Sequence, residues 1–224
     1  MRRQGRDREE RKEWVPKTLL GKDAVAGKYK DLGEVLAKGN VILEPEIVDF
    51  FIPNLKSDIV QIGGSPGKGG GQKRTPTRRT ARMHKSGRRF KMSAMAVVGD
   101  ENEIVGLGIA QSKENRTAID KAMGNAKLAV IRVRKGCGSW ECKCGGSHSI
   151  PFKVSASEGS VTVDLKPAPK GVGIVASPPV RRMLKLAGIR DIWVSTSGTT
   201  STRNNLANAV FKALKNLRRT KGDV

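Results

Sequence analysis

The stretch GCGSWECKCGGSH, residues 136–148, contains all three cysteines of the 224-residue chain and one of its two histidines. The potential metal ligands follow the spacing C-x4-C-x-C-x3-H and are Cys137, Cys142, Cys144 and His148. Thiolates and imidazole are the usual ligands of structural zinc, whose coordination sphere is closed by four protein side chains. These four residues are therefore a candidate site for one structural zinc ion, and no other cofactor is expected.

A second interpretation of this stretch stays open. Glycines on both sides of the cysteines would let the backbone wrap tightly around an ion. However, C-x-C is tighter than the usual C-x2–4-C spacing, so Cys142 and Cys144 need not both reach the same ion. The alternative is a glycine-rich connector whose thiols stay reduced.

Two α+β units flank the cysteine stretch and must position it. In the first unit, the alternating residues from Phe90 to Val98 predict a strand, and EIVGLGIAQ predicts a second strand that runs back beside it. Residues 112–133 predict an amphipathic helix. In the second unit, the pattern predicts a hairpin turning at SEGS, a short strand, a helix, a further strand and a final helix. The first of these helices is expected to start after Ser177 and to stop at Gly188.

The chain is accordingly divided into four segments. They are an N-terminal extension (1–43), a first domain (44–135), a linker with the candidate zinc site (136–150) and a second domain (151–224). Within the extension, residues 14–27 show no clear hydrophobic period and predict an extended arm.

Basic residues concentrate in two parts of the chain. The chain has 43 Lys and Arg against 21 Asp and Glu, a net charge of +22; residues 61–91 hold ten basic and no acidic side chains, and residues 181–224 hold ten and two. Like charges at this density repel unless a polyanion neutralises them. Nucleic acid is such a partner, because each neutralised phosphate releases a counterion. The glycine-rich segment 63–91 predicts a basic loop that contacts double-stranded or folded RNA.

Several other function classes lack the residues they need. No run of about 18 apolar residues is present for a membrane span, and no apolar stretch follows the N-terminal charges as in a secretory signal, so a cytoplasmic protein is expected. IGGSPGK lacks the first glycine and the Ser or Thr of a P-loop, and Pro66 in GGSPG has no N–H for an oxyanion hole. GVGIVA does not follow a strand, as a dinucleotide-binding turn would. We therefore expect neither catalysis nor a small-molecule substrate.

Two long segments carry a family resemblance. Residues 87–127 contain G-R-R-F, an alternating strand, V-V-G-D, G-x-G and a helix with A-I-x-K-A, while residues 163–198 contain K-P-A, G-x-G-I and A-G-I-x-D. Together they resemble the family of the fifth protein of the small ribosomal subunit, over roughly residues 44–217. The long N-terminus and the VRKG…IP junction are similar to its archaeal and eukaryotic branch, and the cysteines to its archaeal members.

The resemblance implies both a fold and a role. The fold is α+β, with an α-β-β-β-α domain similar to double-stranded-RNA-binding domains followed by a β-α-β-β-α domain. The role is a structural one on small-subunit ribosomal RNA, near the messenger RNA entry path, with a contact to a neighbouring small-subunit protein that affects decoding accuracy. The rival function is a free-standing double-stranded-RNA-binding regulator or RNA chaperone. A role of His148 in packing or RNA contact is the alternative to zinc binding.

The expected RNA contacts are basic residues and one glycine. The resemblance places Lys85, Gly87, Arg88 and Arg89 in the RNA-reaching loop of the family. The charge pattern adds Lys68, Lys73, Arg74, Arg78, Arg79, Arg82 and Lys91, with Lys113 and Arg116 at the start of the following helix. In the second domain the expected contacts are Lys170, Arg181 and Arg182.

Overall fold

The computed structural model describes residues 14–67, 69 and 71–218. Within these residues the helices are α1 (Leu19–Val25), α2 (Leu32–Ala37), α3 (Glu46–Phe51), α4 (Asn115–Leu128), α5 (Pro178–Leu186) and α6 (Arg203–Asn216). The strands are β1 (Lys56–Ile59), β2 (Gly63–Pro66), β3 (Gln72–Thr75), β4 (Thr77–His84), β5 (Gly87–Gly99), β6 (Ile104–Ser112), β7 (Val130–Arg132), β8 (Val154–Glu158), β9 (Val161–Pro167), β10 (Ile174–Val175) and β11 (Ile192–Gly198). No described helix combines the length and the apolar composition needed to cross a membrane.

The long strand β5 is the centre of the first sheet. Along one edge it pairs antiparallel with β6, which in turn pairs with β7. Its other edge is shared, because β4 pairs with its first half and β1 with its last four residues. Helix α4 covers one face through three fully buried alanines, Ala118, Ala122 and Ala126. Apart from β2, β3 and β4, which are inserted between β1 and β5, the chain order α3-β1-β5-β6-α4 is the predicted α-β-β-β-α arrangement.

The basic segment 63–91 is built of strands, so the prediction of a loop is wrong. β2 and β3 form a small hairpin, and β4 runs back along β5 as a second hairpin. Backbone N–H and C=O groups can pair along a strand whatever the side chains are, so a ribbon needs no apolar core of its own. The exposed edge of the first half of β5 supplies that pairing.

The N-terminal segment packs on the first domain and is not an extended arm. Thr18 caps α1, since its Oγ1 accepts the N–H of Gly21 at 3.1 Å. The carboxylate of Glu44 accepts the indole N–H of Trp14 at 2.8 Å and the backbone N–H of Thr18 at 2.6 Å. Leu32 of α2 lies in a cluster with residues of α3 and β5. These contacts fold the described part of the predicted extension onto the first sheet.

The second sheet has the order β10-β11-β9-β8, with α5 and α6 packed on one face. β8 and β9 form the predicted hairpin, and β10 and β11 are parallel because α5 crosses between them. The chain order is therefore β-β-β-α-β-α: the hairpin precedes the crossover helix, unlike in the β-α-β-β-α order implied by the resemblance. Ser177 and Gly188 flank α5 as predicted, and the φ of +73° at Gly188 suits the end of a helix.

One hydrophobic core joins the two sheets. It includes Met95 and Val97 of β5 together with Leu165 of β9, Met183 of α5 and Leu214 of α6, all buried. Polar contacts cross the same junction from α5 and α6, as described below. The α+β class and the two-domain architecture predicted from the sequence are confirmed.

Candidate nucleic-acid interface and metal centre

The β4–β5 hairpin, residues 77–94, is a basic ribbon with a tight tip. The strands pair from Thr77 opposite Ala94 to His84 opposite Gly87, which leaves Lys85 and Ser86 as the two-residue turn. Gly87 has a φ of +104°, a conformation that favours glycine. This explains the glycine before Arg88 and Arg89.

One face of the basic ribbon carries unopposed positive charge. Residues directly opposite in an antiparallel pair share a face, and Arg82 lies opposite Arg89. Arg78 and Lys91 lie on the same face, and all four side chains are exposed. Like charges directly opposite each other destabilise a strand pair. The ribbon therefore has a surface whose repulsion a polyanion would relieve.

The other face of the basic ribbon combines charge with one aromatic ring. Phe90 is 39% exposed, and the guanidinium of Arg79 lies 4.5 Å from the centre of its ring, with that of Arg88 at 5.3 Å. These are cation–π distances. Guanidinium groups flank the ring, so a ligand at this face would meet planar cations as well as the aromatic ring. The face is therefore not a bare stacking surface.

The base of the ribbon adjoins the start of α4. The hydroxyl of Thr77 donates to Oδ1 of Asn115 at 3.0 Å. Lys113 and Arg116 are exposed on either side of the exposed N-cap residue Glu114 and Asn115, and the first turn of α4 itself has no acidic residue. The positive end of the helix dipole also favours anions at this point. The predicted contacts of the ribbon and of the helix thus lie on neighbouring elements.

Arginines also meet at the junction of the two domains. Arg182 donates to Oδ1 of Asp58 at 3.2 Å and to the carbonyl of Ile59 at 3.1 Å, and Arg203 donates to the carbonyl of Gln61 at 2.7 Å. Burial, together with the charges of Arg74 and Arg182, lowers the pKa of Arg203. Arg203 was not among the expected contacts, because its carbonyl partner is 142 residues away along the chain.

The remaining predicted RNA contacts are exposed or lie outside the described residues. Lys68 belongs to the latter group. Lys73 and Arg74 are exposed on β3. In the second domain, Lys170 is exposed before β10 and Arg181 is exposed on α5.

The candidate metal centre lies in a loop that is closed at its base. Gly136 and Ser149 exchange two backbone hydrogen bonds of 2.9 Å, and the N–H of Gly138 donates to the carbonyl of Ile150 at 3.1 Å. These bonds bring the two ends of the linker together. The cysteines and the histidine are therefore held in a compact turn.

The four predicted ligand atoms converge. The sulfur atoms of Cys137, Cys142 and Cys144 and a ring nitrogen of His148 all lie within 4.8 Å of one another. Zinc–sulfur bonds of about 2.3 Å in a tetrahedron place two sulfur atoms about 3.8 Å apart. Sγ of Cys142 and Nε2 of His148 are already 3.7 Å apart. The tight C-x-C spacing does not keep Cys142 and Cys144 apart, so the four ligand atoms are close enough to share one ion, and thiolates with imidazole are a ligand set that suits zinc.

The surroundings favour a thiolate at one position of the cluster. Hydrogen bonds from the Cys144 thiol, then from the backbone N–H of Lys170, lower the pKa of Cys142 to about 6. Desolvation, then the neighbouring Cys144 and Cys142, raises the pKa of Cys137 to about 11. Three thiols this close compete for protons, and a divalent cation would replace those protons.

Comparisons with known proteins match both domains. The N-terminal domain of ribosomal protein S5 matches residues 73–134, and its C-terminal domain matches residues 156–224. The small ribosomal subunit protein uS5 of Methanococcus maripaludis strain C6 is 46% identical over 204 residues, covering 91% of this chain and 82% of that protein. The uS5 proteins of Thermoplasma acidophilum and Nanoarchaeum equitans are 46% and 45% identical over 203 and 205 residues, covering 91% and 92% of this chain and 85% and 88% of theirs.

These matches decide the class of the protein. Small ribosomal subunit proteins are structural components of a cytoplasmic particle and not enzymes, so the expectation of a non-enzymatic, cytoplasmic protein is confirmed. Since archaeal relatives match over nine-tenths of its length, the chain belongs to the ribosomal protein S5 family and is of the archaeal type.

Proposed function

We propose that this protein binds small-subunit ribosomal RNA through the basic ribbon and the adjoining start of α4. The observation that carries the proposal is the pairing of Arg82 with Arg89 in a segment that has no acidic residue from 61 to 91. A folded chain tolerates such repulsion where phosphates lie between or beside the charges. Arg79 and Arg88 on the opposite face would add contacts to a second strand or loop of the RNA.

The second domain would contact a neighbouring small-subunit protein. Val175 of β10 and Trp193 of β11 are opposite each other and are 49% and 36% exposed, on the sheet face away from α5 and α6. Paired apolar side chains of this size are typical of protein interfaces. A place beside the messenger RNA entry path, and an influence on decoding accuracy through that neighbour, complete the proposed role and follow from the family resemblance.

A single zinc ion would brace the linker between the domains. Cys137, Cys142, Cys144 and His148 would supply all four ligands, and a closed site of this kind is structural. The ion would hold the linker in the compact turn described above. It takes no part in chemistry on a substrate.

Removing two charges from the basic ribbon tests the RNA proposal. The full-length Arg82→Gln/Arg89→Gln variant should bind small-subunit ribosomal RNA at least about tenfold more weakly at 0.15 M salt. Its plot of log affinity against log salt should be shallower by about two units, one for each lost phosphate contact. Filter binding or fluorescence anisotropy across a salt series measures both quantities.

A variant with the same change of charge on another surface provides the control. Lys212 and Lys215 are exposed on α6, outside the basic ribbon, and Lys212 pairs with Glu158. Lys212→Gln/Lys215→Gln should keep the affinity and the salt dependence near those of the wild type. Equal losses in the two double variants would show that total charge, and not the ribbon, determines binding. The ribbon variant should also melt no earlier than the wild type, because it removes a repulsion.

A further inference from the structure

The two ring nitrogens of His148 face different partners. Nδ1 lies 2.8 Å from Oδ2 of Asp191, and Nε2 lies 3.7 Å from Sγ of Cys142. The side chains of His148 and Asp191 are 11% and 7% exposed, so water hardly competes for this contact. The ring therefore stands between a buried carboxylate and the cluster of thiols.

This arrangement selects the form of His148 that can bind a metal. A carboxylate accepts hydrogen bonds, so Nδ1 carries the proton in the neutral ring. The lone pair of Nε2 then points to the thiols and is free for a metal ion. Histidines that bind metals usually donate their other ring N–H to a carboxylate or a carbonyl group, which orients the ring and raises its basicity.

The second oxygen of Asp191 holds a turn of the second domain. Oδ1 accepts the backbone N–H of Gly171 at 3.0 Å and that of Gly173 at 2.8 Å. The φ angles of these glycines are +98° and +75°, so both are in the left-handed region. The two N–H groups converge on one oxygen only while the turn keeps this shape. Burial alone would raise the pKa of Asp191, but these two donors and His148 outweigh it and lower that pKa.

The same turn begins with Lys170, the residue before Gly171, and is connected to the thiol cluster through the pair His148–Asp191. Oδ1 of Asp191 binds the turn while its Oδ2 contacts the His148 ring. The side chain of Lys170 itself is exposed and carries a positive charge.

We propose that Asp191 is the positioning residue of the metal centre and couples zinc binding to the conformation of the turn 170–173. The inference rests on the proposed zinc site. Zinc bound to Nε2 strengthens the hydrogen bond from Nδ1 to Asp191, and this holds the carboxylate where the two glycine N–H groups need it. Coupling between two sites is reciprocal, so a formed turn also favours metal binding. The metal thereby sets the position of Lys170, a predicted RNA contact.

Substitution of Asp191 separates this proposal from the zinc site itself. In Asp191→Asn, whichever way the amide is oriented, its NH2 group faces either the His148 ring or the two glycine N–H groups. The zinc affinity of the full-length protein, measured by competition with a chromophoric chelator, should fall by about 10- to 100-fold. Asp164→Asn is the matched control, because Asp164 is a half-buried carboxylate of β9 that pairs with Lys153. That variant should bind zinc like the wild type.

Hydrogen exchange provides a second readout, which follows the turn itself. Adding zinc should slow the exchange of the Gly171 and Gly173 amides at least about tenfold, whereas in Asp191→Ala zinc should leave these amides unchanged. Zinc that binds Asp191→Asn as tightly as the wild type, or that leaves both amides unaffected in the wild type, overturns the coupling while the zinc site stands. A wild-type chain that takes up no zinc overturns the metal centre and the coupling together.

Discussion

Gly108→Ala should destabilise the protein by more than about 3 kcal/mol, although it adds only one methyl group. Gly106 and Gly108 lie on the face of β6 that α4 covers. A Cβ at Gly108 would lie closer than 3.0 Å to the backbone nitrogen and Cα of Ala126 and to the carbonyl oxygen of Ala122. These are backbone atoms of the helix, so α4 would have to move away from the sheet. The movement would open the contact made by its three buried alanines.

The same substitution in the facing helix should have the opposite effect. Gly124 lies inside α4, and a Cβ there would meet no atom within 4 Å. Alanine restricts the unfolded chain and favours a helix, so Gly124→Ala should stabilise the protein by about 0.5–1 kcal/mol. Urea unfolding of the two variants, followed by circular dichroism, measures both changes. A Gly108→Ala protein within 0.5 kcal/mol of the wild type would contradict the close packing of α4 on β6.

The close approach of α4 gives a physical reason for the G-x-G of the family signature. A helix can lie directly on a strand only where the residues between them are very small. Here the helix contributes Ala122 and Ala126, and the strand contributes Gly106 and Gly108. The glycine spacing was visible in the sequence, but its cause became clear only once the helix was placed on the sheet.

Local signals predicted the regular elements well. Helix α5 begins at the prolines after Ser177 and ends before Gly188, and the hairpin β8–β9 turns at SEGS, because caps and turns depend on adjacent residues. Alternation likewise predicted β5 and its pairing with β6. All of these features depend on residues that are close together in the chain.

Elements that depend on distant partners were not predictable. In the basic segment, β4 forms because β5 is long enough to pair with both β4 and β1, while β2 and β3 pair with each other. No apolar pattern in residues 63–84 predicts these strands. The folded N-terminal segment depends on Glu44, which binds Trp14 across thirty residues. Such contacts leave no periodic trace in the sequence.

The candidate sites also combine residues that local spacing identifies with residues that depend on distant partners. The spacing of three cysteines and one histidine was sufficient to identify a cluster whose ligand atoms converge, since all four residues lie in one short turn. Asp191, which orients His148, is 43 residues away along the chain. Its only signal was its place in the A-G-I-R-D segment, directly before strand β11.

Cys142→Ser should remove zinc from the protein and lower its stability by about 4 kcal/mol relative to the zinc-loaded wild type. That figure corresponds to free zinc at about a thousand times the dissociation constant, because a ligand that binds only the folded chain stabilises it by mass action. The purified wild type should contain about one zinc ion per chain by mass spectrometry. Cys142 is the thiol with the lowered pKa and the one next to His148, so serine there removes the central ligand.

Trp140→Ala controls for changes in the linker that leave the ligands intact. Trp140 lies between the first two cysteines, is 88% exposed and supplies no ligand atom. This variant should keep its zinc and melt with the wild type. Removing zinc from the wild type with a chelator should lower its melting temperature to that of Cys142→Ser, whereas the variant itself should not respond to the chelator. If the chelated wild type melts unchanged, the linker is held by its backbone pairs at Gly136 and Ser149 alone, and the thiols contribute no metal brace.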